Sequence, residues 1–573
     1  MPHPHTIPEP CPPGEGSSAA ARIRMCCRHA FGTSAVRSKC ADRSQSGYTL
    51  CAESSTLYSF SNGAKVHVVT NSGSISALNC LDVAWSNVGS GGVDLDLPDI
   101  IQYADIASQW EFLRYRILAQ VENGQCYPTS VEIVDLPKDR LGVRPLARFD
   151  IEHRLHYESL IVALAPMIQK ALSGAVYSHR WWERRKRLLS PVRSWIDMQH
   201  RARWHHEMNP KLSVTNTDIS AFYEHIDVDI LVDDLRRLKV PELQLTSLEQ
   251  FLRSFNQLSS AWGIPQGSDM SGMLANLYLT SFDAEIRRGG FRHFRYSDDT
   301  YVFGEDWDSL RGVLVRANRT LRHRHLNLNS SKTKIYPSED VLALIEDKEK
   351  DAISYGIRTF ADWAPERLRD LFDQAIEQTP PNTRDIKFCL TNLANLLDYY
   401  AVKWLLSNFA QIPHIAREVL VYLDHFSKTT LGVEREVPQL LLNEELRHYP
   451  SARLHILAFM IRSNITSRRA SDEIWRMLLD RNEETFVREM AARYLGLLGP
   501  PGEAGQLKQA YQLEANYRIR RALLVACYES NQCSKAWLGM VAASDDPLRL
   551  TTEYLQASPP QIPRPAAERP QWR

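Results

Sequence analysis

The sequence predicts an α+β domain followed by an all-α domain. Between about residues 98 and 340, short β-rich runs alternate with stretches of helical spacing. From about 345 to 550 the strand signals vanish and apolar residues recur at the helical period. A weak repeat accompanies the change. Arg417, Arg453, Arg488 and Arg520 sit in similar segments 36, 35 and 32 residues apart, a spacing suited to stacked helix pairs.

The predicted organisation has four parts. Residues 1–50 carry His-Pro repeats, Pro12-Pro13 and an acid-poor Arg/Ser stretch, a composition that cannot bury a core. The stretch faintly resembles a transit peptide, but a disordered tail, or a true start at Met25 or later, is the simpler reading. Residues 51–345 form the α+β domain, 346–555 the helical repeat domain, and 556–573 a disordered Pro- and Arg-containing tail.

Composition bounds the function. Hydrophobic residues make up 44% and charged residues 24%, as in a soluble globular protein. The longest apolar run, Leu160 to Ile168, is far too short for a bilayer core of ~30 Å, so no membrane partner is expected. Net charge is zero, so a nucleic-acid partner has to be argued from local clusters. Five of the ten cysteines (Cys11, Cys26, Cys27, Cys40 and Cys51) fall in the first 51 residues and the rest are scattered; none forms a C-x2-C pair, as expected of reduced thiols in the cytoplasm.

Within the α+β part, Val131 to Val134 reads as a strand followed by a loop at Pro137-Lys138-Asp139. His156 to Leu172 reads as a helix. Ser213 to Ile219 reads as a strand ending near Asp218, and Met273 to Thr280 as an apolar helix. The segment Phe294 to Phe303 reads as a hairpin with Asp298-Asp299 at its turn. Asp-Asp alone is common in surface turns. A strand-end Asp218 beside it supplies what two-metal phosphoryl transfer requires, hard oxygen ligands converging on two cations. Between them, Trp262 to Ser268 contains Gly263, Gln266 and Gly267. The glycines allow close backbone approach to a ligand, and Gln266 offers both donor and acceptors.

A basic cluster runs from Tyr177 to Glu207, with eight Lys/Arg against three acids and Trp181, Trp182, Trp195 and Trp204 interleaved. Charge follows a nucleic-acid backbone and aromatic rings stack on bases. An amphipathic helix pair with buried tryptophans is the competing reading.

In this order the segments resemble the reverse transcriptase family. Asp218 to Tyr223 looks like the first palm motif, Gly263 to Gly267 like the Pro-Gln-Gly motif, and Tyr296 to Asp299 like the Tyr-x-Asp-Asp box. Leu326 to Lys334 looks like the following Leu-Asn and Lys-Thr motif. Upstream, Pro137-Lys138-Asp139 through Arg144-Pro145-Leu146 and Arg154 resembles the fingers segment. Val176 to Arg180 resembles its continuation, with Ser178 in place of glycine. The fold implied is a right-hand polymerase fingers–palm domain followed by a HEAT-like helical repeat domain.

The resemblance implies roles. Asp218, Asp298, Asp299 and the backbone carbonyl of Ile219 would bind two Mg²⁺ ions, with Mn²⁺ a possible substitute. Arg144, with Lys138 or Arg140, would hold the incoming triphosphate, and Gln266 and Gly267 would line the nucleotide pocket. Tyr223 would be a steric gate selecting deoxynucleotides. Lys332 is the candidate for protonating pyrophosphate, with Lys334 the runner-up. Arg180, Trp181, Trp182, Arg184, Arg185, Lys186 and Arg187 would contact nucleic acid, an RNA template or the DNA product. The layout resembles bacterial antiviral-defence and abortive-infection reverse transcriptases. It implies a cytoplasmic DNA polymerase, RNA-directed or template-independent, that blocks phage and can form homo-oligomers through its helical domain. Two alternatives remain, a retroelement or retron-type enzyme copying a defined RNA and a non-catalytic helical scaffold. Three mutually repelling carboxylates argue against the scaffold.

Overall fold

The computed structural model describes residues 72–88, 95–429, 431–557, 560 and 562–565. The expectation for residues 1–50, and most of that for 556–573, lies outside the described residues.

The first paired strands are β1 (Glu132–Pro137) and β2 (Val143–Arg148), an antiparallel hairpin with Leu136 opposite Arg144 and Pro137 opposite Val143. Asp139 closes its tip by accepting from the Leu141 and Gly142 amides. The helix Ile151–Ala171 follows. It is buried around most of its circumference because the palm packs on one side and the helix Ser72–Asn87 on another. Next comes a short hairpin, β3 (Trp181–Trp182) with β4 (Arg187–Leu188), and then the helix Pro191–Met208. The competing reading of this basic stretch as a helix pair is therefore half right: its first half is a hairpin.

The palm sheet is antiparallel. Its strands are β5 (Ser213–Thr217), β6 (Arg292–Tyr296), β7 (Asp299–Gly304) and β8 (Lys334–Tyr336), in the order β6-β7-β5-β8. Alternation gives each strand two faces. Val214, Phe294, Tyr301 and Phe303 pack on Met198 and Ala202 of the helix Pro191–Met208 and on Val341 and Ile345. Val302 faces the other way, into a core shared with Leu310, Val313, Ala317 and Leu321 of the helix Trp307–Arg322. A capping box of Asp306 and Ser309 starts that helix.

The rest of the described chain is helical, as expected from the sequence. The helices Ala416–Asp424, Pro450–Ser463, Thr485–Leu498 and Tyr517–Glu529 pack on one another in succession, with shorter helices between them. The spaced arginines lie in the first turn or so of these four helices. Three of them reach forward to a carboxylate shortly before the next long helix: Arg453 to Glu483, Arg488 to Glu514 and Arg520 to Asp545. Arg417 pairs with Asp96 instead, at 3.0 Å.

The helical region and the β1–β2 hairpin share one hydrophobic core. Val134, Leu136 and Leu146 of the hairpin belong to the same buried cluster as Leu390, Leu393, Val419 and Leu420. Ionic contacts fasten the junction. Arg148 forms a two-pronged pair with Glu489 (2.8 and 3.0 Å), and Arg518 donates to Asp150 at 2.7 Å. Arg521 pairs with Asp99 and Asp105. At the hairpin tip the Tyr449 hydroxyl donates to the Arg140 carbonyl.

Candidate active site

The sheet register assembles the carboxylates. Thr217 lies opposite Thr300, so Asp218, one residue beyond β5, and Asp299, the first residue of β7, share one end of the sheet. Asp298 sits in the tight β6–β7 turn between Tyr296 and Asp299, which are themselves paired. This turn needs Ser297 at φ 57°, an unusual conformation for a residue with a Cβ.

A buried network holds that turn. The Ser297 amide donates to Ser178 Oγ at 2.7 Å, and its carbonyl accepts from Arg295 Nη1 at 2.8 Å. Arg295 is fully buried. It makes a two-pronged pair with Asp283 (2.8 and 2.7 Å) and donates to Asn276 Oδ1 at 2.7 Å. Asn276 donates in turn to the Ser178 carbonyl. Burial raises the Asp283 carboxyl, but the Arg295 charge and hydrogen bonds from Arg295 and His293 outweigh it and bring the group down to about 2. Ser178 therefore has a structural use: its hydroxyl receives the turn's amide.

Asp218 is nearly fully buried and wrapped by the segment Leu326 to Lys334. The Asn329 amide donates to the Asp218 carbonyl at 2.8 Å, and the Ser220 amide donates to the Asn327 carbonyl. Lys332 Nζ lies 2.6 Å from Asp218 Oδ2. Lys334 is instead part of β8, where its carbonyl accepts from Thr215 Oγ1. Of the two lysines, Lys332 is the one whose side chain pairs with Asp218.

Charge in the cluster is strained. Burial first, and then Asp218 and Asp299, push the Asp298 carboxyl up to about 7. Asp299 is also raised, by burial and by Asp218, against the pull of Lys332 and Lys138. Lys332 is raised, first by its hydrogen bond to Asp218. Among the described residues no three such groups are splayed as a ready metal cage. Lys332, 2.6 Å from Asp218, offsets part of the repulsion. The donor set still has the chemistry of a hard-cation site, because carboxylate oxygens that repel one another are what a divalent ion neutralises.

These groups open into a cavity of about 790 Å³. Its walls include Lys138, Arg144, Asp218, the Ile219 backbone segment, Tyr223, Gln266, Gly267, Asp298, Asp299 and Lys332. Arg140 is not among the lining residues. The hairpin register carries it to the tip, beyond Asp139, so of the two candidate partners for Arg144 only Lys138 faces the cleft.

Two glycines fit the Pro-Gln-Gly loop against its neighbours. At Gly263, with φ +71°, a Cβ would stand 2.2 Å from the Tyr223 carbonyl oxygen. That carbonyl also accepts from the Ile264 amide, so the loop fixes the Tyr223 backbone. At Gly267, with φ +117°, a Cβ would meet Leu146 at 2.8 Å. The Gln266 carbonyl accepts from the Ala147 amide. With its side-chain N and O exchanged, Gln266 would donate to the Pro145 carbonyl at 3.2 Å and accept from Arg144 Nε at 3.3 Å, and so position Arg144. Burial and the neighbouring Asp298 hold the Tyr223 phenol protonated by raising its pKa.

The predicted nucleic-acid residues divide. Arg180 turns inward and donates to the Ser173 and Val176 carbonyls, and Trp181 is buried with its indole N–H on Glu183. These two are structural, because two-residue strands need anchoring from within. Lys186 occupies the hairpin turn at φ 50° beside Glu183. Trp182 is exposed, with Arg185 and Arg187 over its ring at 5.6 and 5.7 Å. Further along, Trp195 packs edge-on against Tyr296 next to the β6–β7 turn, while Trp204 stands in solvent.

Comparison with known proteins adds a family. Residues 156–355 match the model of the reverse transcriptase (RNA-dependent DNA polymerase) family. The span holds Asp218, the Pro-Gln-Gly loop, Asp298-Asp299 and Lys332, and it leaves out the β1–β2 hairpin and nearly all of the helical region. The chain thus carries a reverse transcriptase domain and is an enzyme of the RNA-directed DNA polymerase class. No curated protein sequence matches it. Among solved structures, telomerase from Candida albicans in complex with a fragment of telomeric RNA aligns at 12% identity. That alignment covers 63% of this chain and 69% of the other, with a TM-score of 0.28. Apo telomerase from Candida tropicalis aligns at 11% identity over 60% of this chain and 72% of the other, with a TM-score of 0.26. Scores this low carry no argument.

Proposed function

We propose that the chain makes DNA from deoxynucleoside triphosphates at the Asp218, Asp298 and Asp299 cluster and does so in bacterial defence against phage. The observation that carries the chemistry is the meeting of these three carboxylates, with Lys332, Lys138 and Arg144, in one cleft. Asp218, Asp298 and Asp299 would hold two divalent cations, with the Ile219 carbonyl beside them. Such cations supply charge neutralisation and Lewis-acid polarisation for displacement at phosphorus.

The protein's own groups do the rest. Lys138 and Arg144 bind the triphosphate, and Gln266 orients the Arg144 fork. The Tyr223 ring occupies the space a 2′-hydroxyl would need. Lys332 delivers a proton to the departing pyrophosphate. Trp182 with Arg185 and Arg187 offers a stacking and charged surface to a strand.

The defence role rests on layout: a palm that continues directly into a long, HEAT-like helical region. Sequencing the nucleic acid that co-purifies with the protein tests both claims. DNA present with the wild-type chain and missing from an Asp298→Ala, Asp299→Ala double variant is expected, together with loss of phage protection in that variant. DNA and protection undiminished in the double variant would contradict the proposal.

A further inference from the structure

The cleft has a wall that the motifs do not account for. Thr383, Lys387, His414, Arg417, Ser451 and His455, all from the helical region, line the same cavity as the catalytic carboxylates. They come from the helices Thr383–Asn395, Pro413–Ile415, Ala416–Asp424 and Pro450–Ser463, a region that shares its core with the β1–β2 hairpin.

The chemistry of this wall suits phosphate. Asp96 holds Arg417 at 3.0 Å, and Glu418 lies 3.4 Å from it, so the guanidinium is fixed in place. Lys387 is exposed one turn into the helix Thr383–Asn395, and among the described residues it has no salt-bridge partner. It is close enough to act on the charges of Asp96 and His414. Thr383 and Ser451 add hydroxyl donors. The acids of this wall, Asp96 and Glu418, are both beside Arg417, which leaves Lys387 as the uncommitted cation.

We propose that the helical region forms the second wall of the polymerase cleft and that Lys387 and Arg417 bind backbone phosphates of the nucleic-acid strand lying in it. The inference rests on the polymerase reading above. It assigns the strand and not the triphosphate, because Lys138 and Arg144 on the adjoining hairpin already provide for the triphosphate. It also gives the fused helical region a part in catalysis: without it the cleft has only the palm and the hairpin.

Anisotropy of a labelled 20-nucleotide RNA or DNA strand, bound to the full chain at several salt concentrations, tests this. Lys387→Glu should weaken binding about tenfold and flatten the salt dependence by roughly 0.7 in log–log slope, the share of one phosphate contact on a single strand. Lys387→Arg should retain both. The dNTP KM should stay unchanged in each. Because Lys387 is exposed, thermal melting should match wild type and exclude misfolding. The same loss should appear in an Asp298→Ala, Asp299→Ala background, which separates this inference from the polymerase assignment. Unchanged strand affinity in Lys387→Glu would overturn it. So would a raised dNTP KM with strand affinity intact, which would move the wall's role to the triphosphate.

Discussion

Tyr223 is held on every side that matters for its proposed role. Its carbonyl accepts from Ile264, its ring meets Phe222 edge-on at 5.5 Å, and Gly263 packs against its backbone. Tyr223→Ala should therefore admit ribonucleotides. Measured as the ratio of kcat/KM for dNTP over rNTP, selectivity should fall by about tenfold or more, on the order of 1.4 kcal/mol. An unchanged ratio would remove the gate. Gly263→Ala should be worse tolerated than its size suggests, because a Cβ would stand 2.2 Å from the Tyr223 oxygen. Loss of both activity and melting temperature is expected, read by incorporation and by calorimetry. Gly263 was legible in the sequence, since a close loop calls for glycine, whereas Tyr223 was singled out only through the family resemblance. Arg295 was not legible. A lone arginine in a strand has the same appearance whether it is solvated or buried, and only the fold shows Asp283 waiting for it.

The β6–β7 turn is the element on which the site depends, and its support comes from elsewhere in the palm. Arg295→Met leaves Asp283 buried without its cation. Removing one partner of such a pair costs about 3–5 kcal/mol. A large drop in melting temperature is expected, with incorporation reduced further than the stability loss explains, because Ser297 loses a partner. The pH dependence follows from Asp283. Its carboxyl sits at about 2 in the folded protein, below the usual value near 3.8. Its contribution is therefore fully present above about pH 4 and is lost as pH falls toward 2, on the order of 2 kcal/mol. Acid denaturation followed by circular dichroism should show that loss in the wild type. In Arg295→Met only His293 remains to oppose burial, so the Asp283 carboxyl rises, the acid-side loss should shrink or vanish, and stability should instead fall as pH rises through the raised value. At this scale the sequence showed β5 and the β6–β7 hairpin through their alternation. It showed β3, β4 and β8 poorly, because strands of two or three residues are too short to display a period.

Across the whole molecule, the decisive feature is that the β1–β2 hairpin and the helical region share a core. Val134, Leu136 and Leu146 have their apolar partners in the helices, and Arg148 has Glu489. A chain ending after Ile345 should expose this surface and bind hydrophobic dyes or precipitate. A soluble, cooperatively melting fragment would contradict the shared core. Ile345 packs with the palm and Ile353 with the helices. What the sequence could not reveal is that the hairpin far upstream completes the helical core, because such pairing leaves no local pattern. Nor does it show the helical wall of the cleft. Thr383, Lys387 and Arg417 look like ordinary surface residues until the fold brings them to Asp218.

All of this rests on the three carboxylates acting as a polymerase site. The most direct measurement is incorporation of labelled dNTPs by the purified chain, with Mg²⁺ and with chelator, on a primed RNA template and without one. The wild type should extend at least one of these substrates and stop when the metal is chelated. Asp218→Asn and the Asp298→Ala, Asp299→Ala double variant should fall by about 10³-fold or more while melting as the wild type does. Incorporation at wild-type rate by either variant would contradict the assignment.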